Sequence, residues 1–131
     1  AGCAPALECD VACPRCPDVV EWCSAAGFEE LLAYGLYELD ERAGTRRGAV
    51  CLASVEPLAE GVALSSVAAW PPAAQGVVSA EEVAGVYDLA WAPREGAALG
   101  RTGPLLAVAG ADGSLALLQA ARGGGGPWSL A

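Results

Sequence analysis

Val20-Glu21-Trp22-Cys23 followed by Leu31-Leu32-Ala33, and later Leu89-Ala90-Trp91-Ala92 followed by Leu105-Leu106-Ala107, decide how this chain is read. Each is a short apolar run with Trp near its end, then a loop, then a Leu-Leu-Ala run. Runs this short, bounded by Gly, Pro and Ser, read as strands rather than helices. The two Trp residues stand 69 positions apart. One supersecondary unit is therefore used twice, and internal repetition of this kind marks a modular β architecture.

Working outward, Asp18–Cys23 is a buried strand closed by Ser24-Ala25-Ala26-Gly27, and Leu31–Leu39 is the strand that follows it. The charged stretch Asp40–Arg47, with Gly44, makes a hairpin loop, and Gly48–Val55 is a third strand ended by Pro57. Val62–Trp70 fits a fourth strand, although its Ala content equally permits a helix. The second unit holds a strand Val86–Trp91, a polar loop Ala92–Gly103, a strand Pro104–Gly110, a turn Ala111-Asp112-Gly113-Ser114 and a return strand Leu115–Gln119. Ahead of both, Leu7–Val11 reads as a short edge strand before Pro14 and Pro17.

The organisation is a Cys/Pro-rich lead (1–17), a first unit with an uncharged insertion (18–80), a partial second unit (81–121) and a Gly-rich tail (122–131). Blades of WD-repeat propellers run ~40–45 residues with four strands each, and a ring needs ~4–8 of them. The expected fold class is all-β, a partial WD-repeat β-propeller of about two blades out of a presumed seven. A chain beginning at Ala1 and ending in a glycine run is expected to be a fragment.

Composition narrows function further. Of 131 residues, 54% are hydrophobic but only 6% aromatic, and the net charge is -9. Phosphate backbones and anionic membranes would be repelled, so nucleic acid and membrane are excluded as partners. His, Met, Lys, Ile and Asn do not occur, so the chain supplies no Ser-His-Asp triad, Cys-His pair or His-based zinc site. The uncharged stretch Gly61–Ala80 is long enough to span a bilayer, but Ser65, Ser66, Pro71-Pro72 and Gln75 argue against it. No basic n-region precedes an apolar segment near the start, so no export signal is read.

Five of the six Cys (Cys3, Cys9, Cys13, Cys16, Cys23, Cys51) fall in the first 23 residues, with Cys13-Pro14-Arg15-Cys16 a C-x-x-C. A zinc knuckle from Cys9, Cys13, Cys16 and Cys23, or a redox pair, would use such spacing. A single C-x-x-C is weak for either, and free thiols in a reducing cytosol are the preferred reading. No metal site is assigned.

The segments Asp18–Cys23, Leu31–Leu39 with Tyr37-Glu38-Leu39, and Ala84-Gly85-Val86-Tyr87-Asp88-Leu89-Ala90-Trp91-Ala92-Pro93 resemble the amino-terminal blades of the diphthine methylesterases, WD-repeat proteins of diphthamide biosynthesis. Gly103-Pro104-Leu105-Leu106-Ala107 and Ala111-Asp112-Gly113-Ser114-Leu115 extend the resemblance to roughly residues 18–119. It implies a cytoplasmic propeller that hydrolyses the methyl ester of diphthine on elongation factor 2, its protein substrate, with no cofactor. The alternative is a non-catalytic WD-repeat scaffold that presents loops to protein partners.

Ester hydrolysis needs a nucleophile, a base and oxyanion donors. Ser24, Ser54, Ser65, Ser66, Ser79, Ser114 and the cysteines are candidates, but none lies in a Gly-x-Ser-x-Gly elbow, so the catalytic residues stay unassigned. Glu21 and Asp88 are candidate carboxylate bases, with Glu21 more simply a solvent-facing strand residue and Asp112 a turn former. The substrate's trimethylammonium group would suit an aromatic cage, for which Trp22 and Trp91 are candidates. Packing between units is the simpler role for both.

Overall fold

The computed structural model describes residues 16–71, 83–92, 103–122 and 126–131; the Leu7–Val11 segment, Cys3, Cys9, Cys13 and Ser79 lie outside them. Every regular element among the described residues is a strand. The first sheet is an antiparallel meander of β1 (Cys16–Trp22), β2 (Leu31–Asp40), β3 (Thr45–Leu58) and β4 (Gly61–Trp70), in that order. A two-residue strand, β5 (Val83–Ala84), pairs with Arg47 and Gly48 of β3, beyond the end of β4. The second sheet is a meander of β6 (Val86–Trp91), β7 (Leu105–Gly110), β8 (Leu115–Arg122) and β9 (Trp128–Leu130). The described residues are thus all-β, as expected, and form two four-stranded antiparallel meanders.

The sheets stack face to face, β1 beside β6 and β4 beside β9. Period-two alternation decides which residues meet. In the first sheet, Leu31, Ala33, Val50, Leu52 and Ala68 turn toward the second. Leu89, Trp91, Leu106, Val108 and Leu118 answer from the other side, and all ten are buried. Burying a Val or Leu side chain contributes about 1.5–3 kcal/mol, so this seam is the main source of cohesion.

The seam's closeness depends on a missing side chain. A Cβ on Gly35 would meet Val86 Cγ1 at 2.5 Å and Val19 Cγ1 at 2.8 Å, so β6 reaches β2 only because position 35 is Gly. At Gly48 a Cβ would meet the carbonyl oxygens of Leu36 and Ala84, which is where β5 joins β3.

Four elements differ from the sequence expectations. The strand expected to be buried, β1, is exposed along nearly its whole length, because it is the edge strand of the first sheet. The charged hairpin is tighter than Asp40–Arg47, because β3 already begins at Thr45 and Gly44 turns the chain with φ +66°. The ambiguous Val62–Trp70 segment is strand, since β3 offers a full ladder from Val50–Trp70 to Leu58–Gly61. Within the expected tail, Trp128–Leu130 forms β9 on Ala120–Arg122, and Gln119 and Ala131 exchange main-chain hydrogen bonds beyond it. The Trp128 ring stands edge-on to Phe28 at 6.0 Å, and the Arg122 guanidinium lies 5.8 Å from its centroid. The ladder with β8 and the Arg122 contact hold β9 to the second sheet, and Phe28 ties it to the β1–β2 connection of the first; glycine-rich composition conceals both.

Candidate functional site

Where the outer strands of the two sheets meet, a cleft of about 300 Å³ is lined by Ser54, Glu56, Ser65, Val67, Arg122 and Trp128, among others. Ser54 and Glu56 share a face of β3 by period two, and Ser65 of β4 stands opposite Ser54 in register. Arg122 is fixed from β8, its Nε donating to the Gly126 carbonyl at 2.8 Å. Two hydroxyls, a carboxylate and a guanidinium therefore converge beside an indole. The set can hydrogen-bond a small polar ligand. Among the described residues neither hydroxyl is bonded to a base, so no activated nucleophile is assembled there.

The other candidates are dispersed. Ser24 and Ser114 are exposed in turns, and the Ser66 hydroxyl faces the Tyr34 hydroxyl at 3.4 Å. Glu21 is exposed on β1, where its main chain does the work: Trp91 Nε1 donates to the Glu21 carbonyl at 3.1 Å, across the seam. Asp88 is exposed, and its Oδ1 accepts from the Leu89 N–H at 2.9 Å next to the irregularity in β6 pairing. Asp112 forms the expected turn, accepting from Ser114 N–H at 2.9 Å while Gly113 takes φ +85°. Hydrogen bonds from Ser114 hold the Asp112 carboxyl below its ordinary range.

Trp22 and Trp91 do not form a common cage. Trp91 is buried in the seam, whereas Trp22 pairs with Leu32 on the opposite face of the first sheet and is 58% exposed.

The cysteine set divides in the same way. Cys16, Cys23 and Cys51 are not joined in disulfides; Cys16 is exposed, and the other two are buried on opposite faces of the first sheet. Burial, reinforced by Glu30 and Glu29, pushes the Cys23 thiol up, which disfavours the thiolate a zinc ligand or nucleophile requires. Among the described residues no group of His, Cys, Asp and Glu is placed to hold a metal ion.

Compared with family models, with curated proteins and with solved structures, the chain matches none. Among the described residues no helix is long and apolar enough to cross a membrane.

One surface feature was not expected from sequence. On the first sheet's outer face, Val20, Leu32, Tyr34, Ala53 and Leu64 line an apolar hollow of about 290 Å³ beside Pro17. Alternation places these residues on one face, but only the register shows that Val20 and Tyr34, and Leu32 and Ala53, stand side by side.

Proposed function

We propose that this chain is a two-blade segment of a WD-repeat β-propeller of the diphthine methylesterase kind. The whole protein then hydrolyses the methyl ester of diphthine on elongation factor 2, in the cytoplasm and without a cofactor. Support for the propeller reading comes from two four-stranded meanders stacked with like strand beside like strand. The observation that carries it is the Trp91 Nε1 bond to Glu21. It joins the corresponding Trp-ending strands of the two units, as expected of repeated blades. Support for the enzyme comes from the Val-Glu-Trp-Cys and Gly-Val-Tyr-Asp-Leu-Ala-Trp segments that carry the resemblance. In this reading residues 16–131 supply scaffold, and the 131-residue chain alone is inactive.

The test is methanol release from methyl-esterified diphthine on purified elongation factor 2, with full-length protein and with this chain. Turnover by the full-length protein alone supports the reading. Binding of elongation factor 2 without methanol release would sink the enzyme and leave a scaffold, a reading favoured by the absence of a hydroxyl–base pair in the outer cleft.

A further inference from the structure

The seam face of both sheets changes chemistry at the outer cleft. By period-two alternation it reads Val50, Leu52, Ser54, Glu56 along β3 and Leu118, Ala120, Arg122 along β8. The four apolar residues are buried between the sheets, whereas Ser54, Glu56 and Arg122 line the cleft, together with Ser65 and Val67 of β4 and Trp128 of β9. One wall therefore carries a carboxylate and two hydroxyls, and the other a guanidinium. Among the described residues no ion pair joins Glu56 to Arg122. Arg122 is held in place beforehand, its Nε donating to the Gly126 carbonyl at 2.8 Å and its guanidinium 5.8 Å from the Trp128 centroid. That commits one of five N–H donors and leaves those on Nη1 and Nη2. The cleft lies between the outermost strands of the two stacks, β4 and β9, so further units laid on either open sheet face leave it open.

We propose that this cleft binds a small free α-amino acid with an apolar side chain. An ammonium group has three N–H donors and no acceptor, and the first wall offers three acceptors to match: the Glu56 carboxylate and the hydroxyls of Ser54 and Ser65. The α-carboxylate takes the Nη edge of Arg122, the charge-assisted pairing in which two parallel N–H bonds fix orientation as well as affinity. The ligand's side chain lies against Val67, Pro127 and Trp128, the apolar part of the lining. A ligand of one charge would desolvate the opposite wall without pairing it, a cost that a zwitterion avoids. A cleft of about 300 Å³ stands at the small end of ligand pockets, room for one residue-sized molecule. The site needs only the seam and is independent of the esterase reading.

Isothermal titration of the full-length protein with L-leucine, L-leucinamide and N-acetyl-L-leucine tests this. The amide lacks the carboxylate, and the acetyl compound lacks the ammonium. L-leucine is expected to bind at a single site per chain, and each analogue at least roughly tenfold more weakly, since each loses a charge-assisted contact. Two variants at exposed positions then separate the walls. Glu56→Gln is expected to weaken L-leucine and L-leucinamide roughly tenfold without weakening N-acetyl-L-leucine, and Arg122→Gln to weaken L-leucine and N-acetyl-L-leucine without weakening L-leucinamide. Loss of fold would weaken all three compounds together, and Glu56→Gln, which leaves the Arg122–Trp128 contact intact, decides the matter should Arg122→Gln disturb β9. No heat from L-leucine up to about 10 mM overturns the inference. So does equal binding of the three compounds, which would be apolar contact alone, or L-leucine binding that both variants retain, which would place it elsewhere.

Discussion

Replacing Trp91 by Ala separates the seam from every other contribution to stability. The residue is 8% exposed, sits among Leu89, Leu106 and Leu52, and donates its indole N–H to Glu21 at 3.1 Å. Truncating a buried Trp to Ala costs about 3–5 kcal/mol through lost transfer energy and the cavity left behind. Against a total of roughly 5–15 kcal/mol for a native domain, that removes a large share of what holds the sheets together. Trp91→Phe keeps most of the ring but removes the indole N–H bond to the Glu21 carbonyl, at a cost of about 0.5–1.5 kcal/mol. Trp22→Ala, at 58% exposure, is the matched control and costs under about 0.5 kcal/mol. Urea titration followed by circular dichroism measures the difference. With a slope of about 2 kcal/mol per molar urea, Trp91→Ala lowers the midpoint by about 2 M, and Trp22→Ala leaves it nearly unchanged. Equal shifts for the two Trp variants, or an unshifted midpoint for Trp91→Ala, would refute the assignment of the seam as the main source of cohesion.

Gly35→Ala places a methyl 2.5 Å from Val86 Cγ1, so β6 must retreat; a loss of about 1–3 kcal/mol in the same titration is expected, and none if the seam is loose. Asp112 has a folded-state pKa below its unfolded value, so its contribution is present above the unfolded pKa of about 3.9 and is lost as pH falls through the folded one. Asp112→Asn keeps an acceptor for Ser114 and is expected to flatten the acid limb of the stability–pH curve, measured from pH 6 to pH 2. Burial raises the Cys23 thiol, so the folded chain keeps it protonated where the unfolded chain begins to ionise, near pH 8.5. The stability this contributes is full below that pH and falls as pH rises toward the folded value. Mass-spectrometric mapping after brief alkylation at pH 8 is expected to find Cys16 labelled and Cys23 and Cys51 protected; rapid labelling of Cys23 would contradict its place in the seam.

How much of this was legible in the residues follows from where the deciding physics lies. The repeat was legible, because Leu31-Leu32-Ala33 and Leu105-Leu106-Ala107 take equivalent register positions in the two sheets. The Asp112-Gly113 turn was legible too, since it depends only on a positive φ that Gly supplies locally. What sequence hid depends on long-range partners. Trp128–Leu130 becomes a strand through β8, Phe28 and Arg122, none of which alters the local glycine-rich composition. Val62–Trp70 could not be separated from helix until β3 offered it a ladder, as Ala is a weak strand former in isolation.

The two Trp residues carry the same lesson further. Their local sequences are alike, yet one is buried and bonded and the other exposed, because only one has a sheet in front of it. The repeat in sequence is a repeat of positions, and each position's burial is set by its neighbour. The exposed apolar residues of the outer faces are therefore informative: Leu115 and Leu117 hold side chains suited to a seam. Large apolar residues clustered on an open sheet face mark a contact surface rather than a solvated one. The outer cleft of Ser54, Glu56, Ser65 and Arg122 is a product of the same stacking, since its two sides come from β3 and β4 on one sheet and β8 and β9 on the other. Loosening the seam at Trp91 or Gly35 would therefore open that cleft as well as lower stability, which ties whatever binds there to the packing of the two sheets.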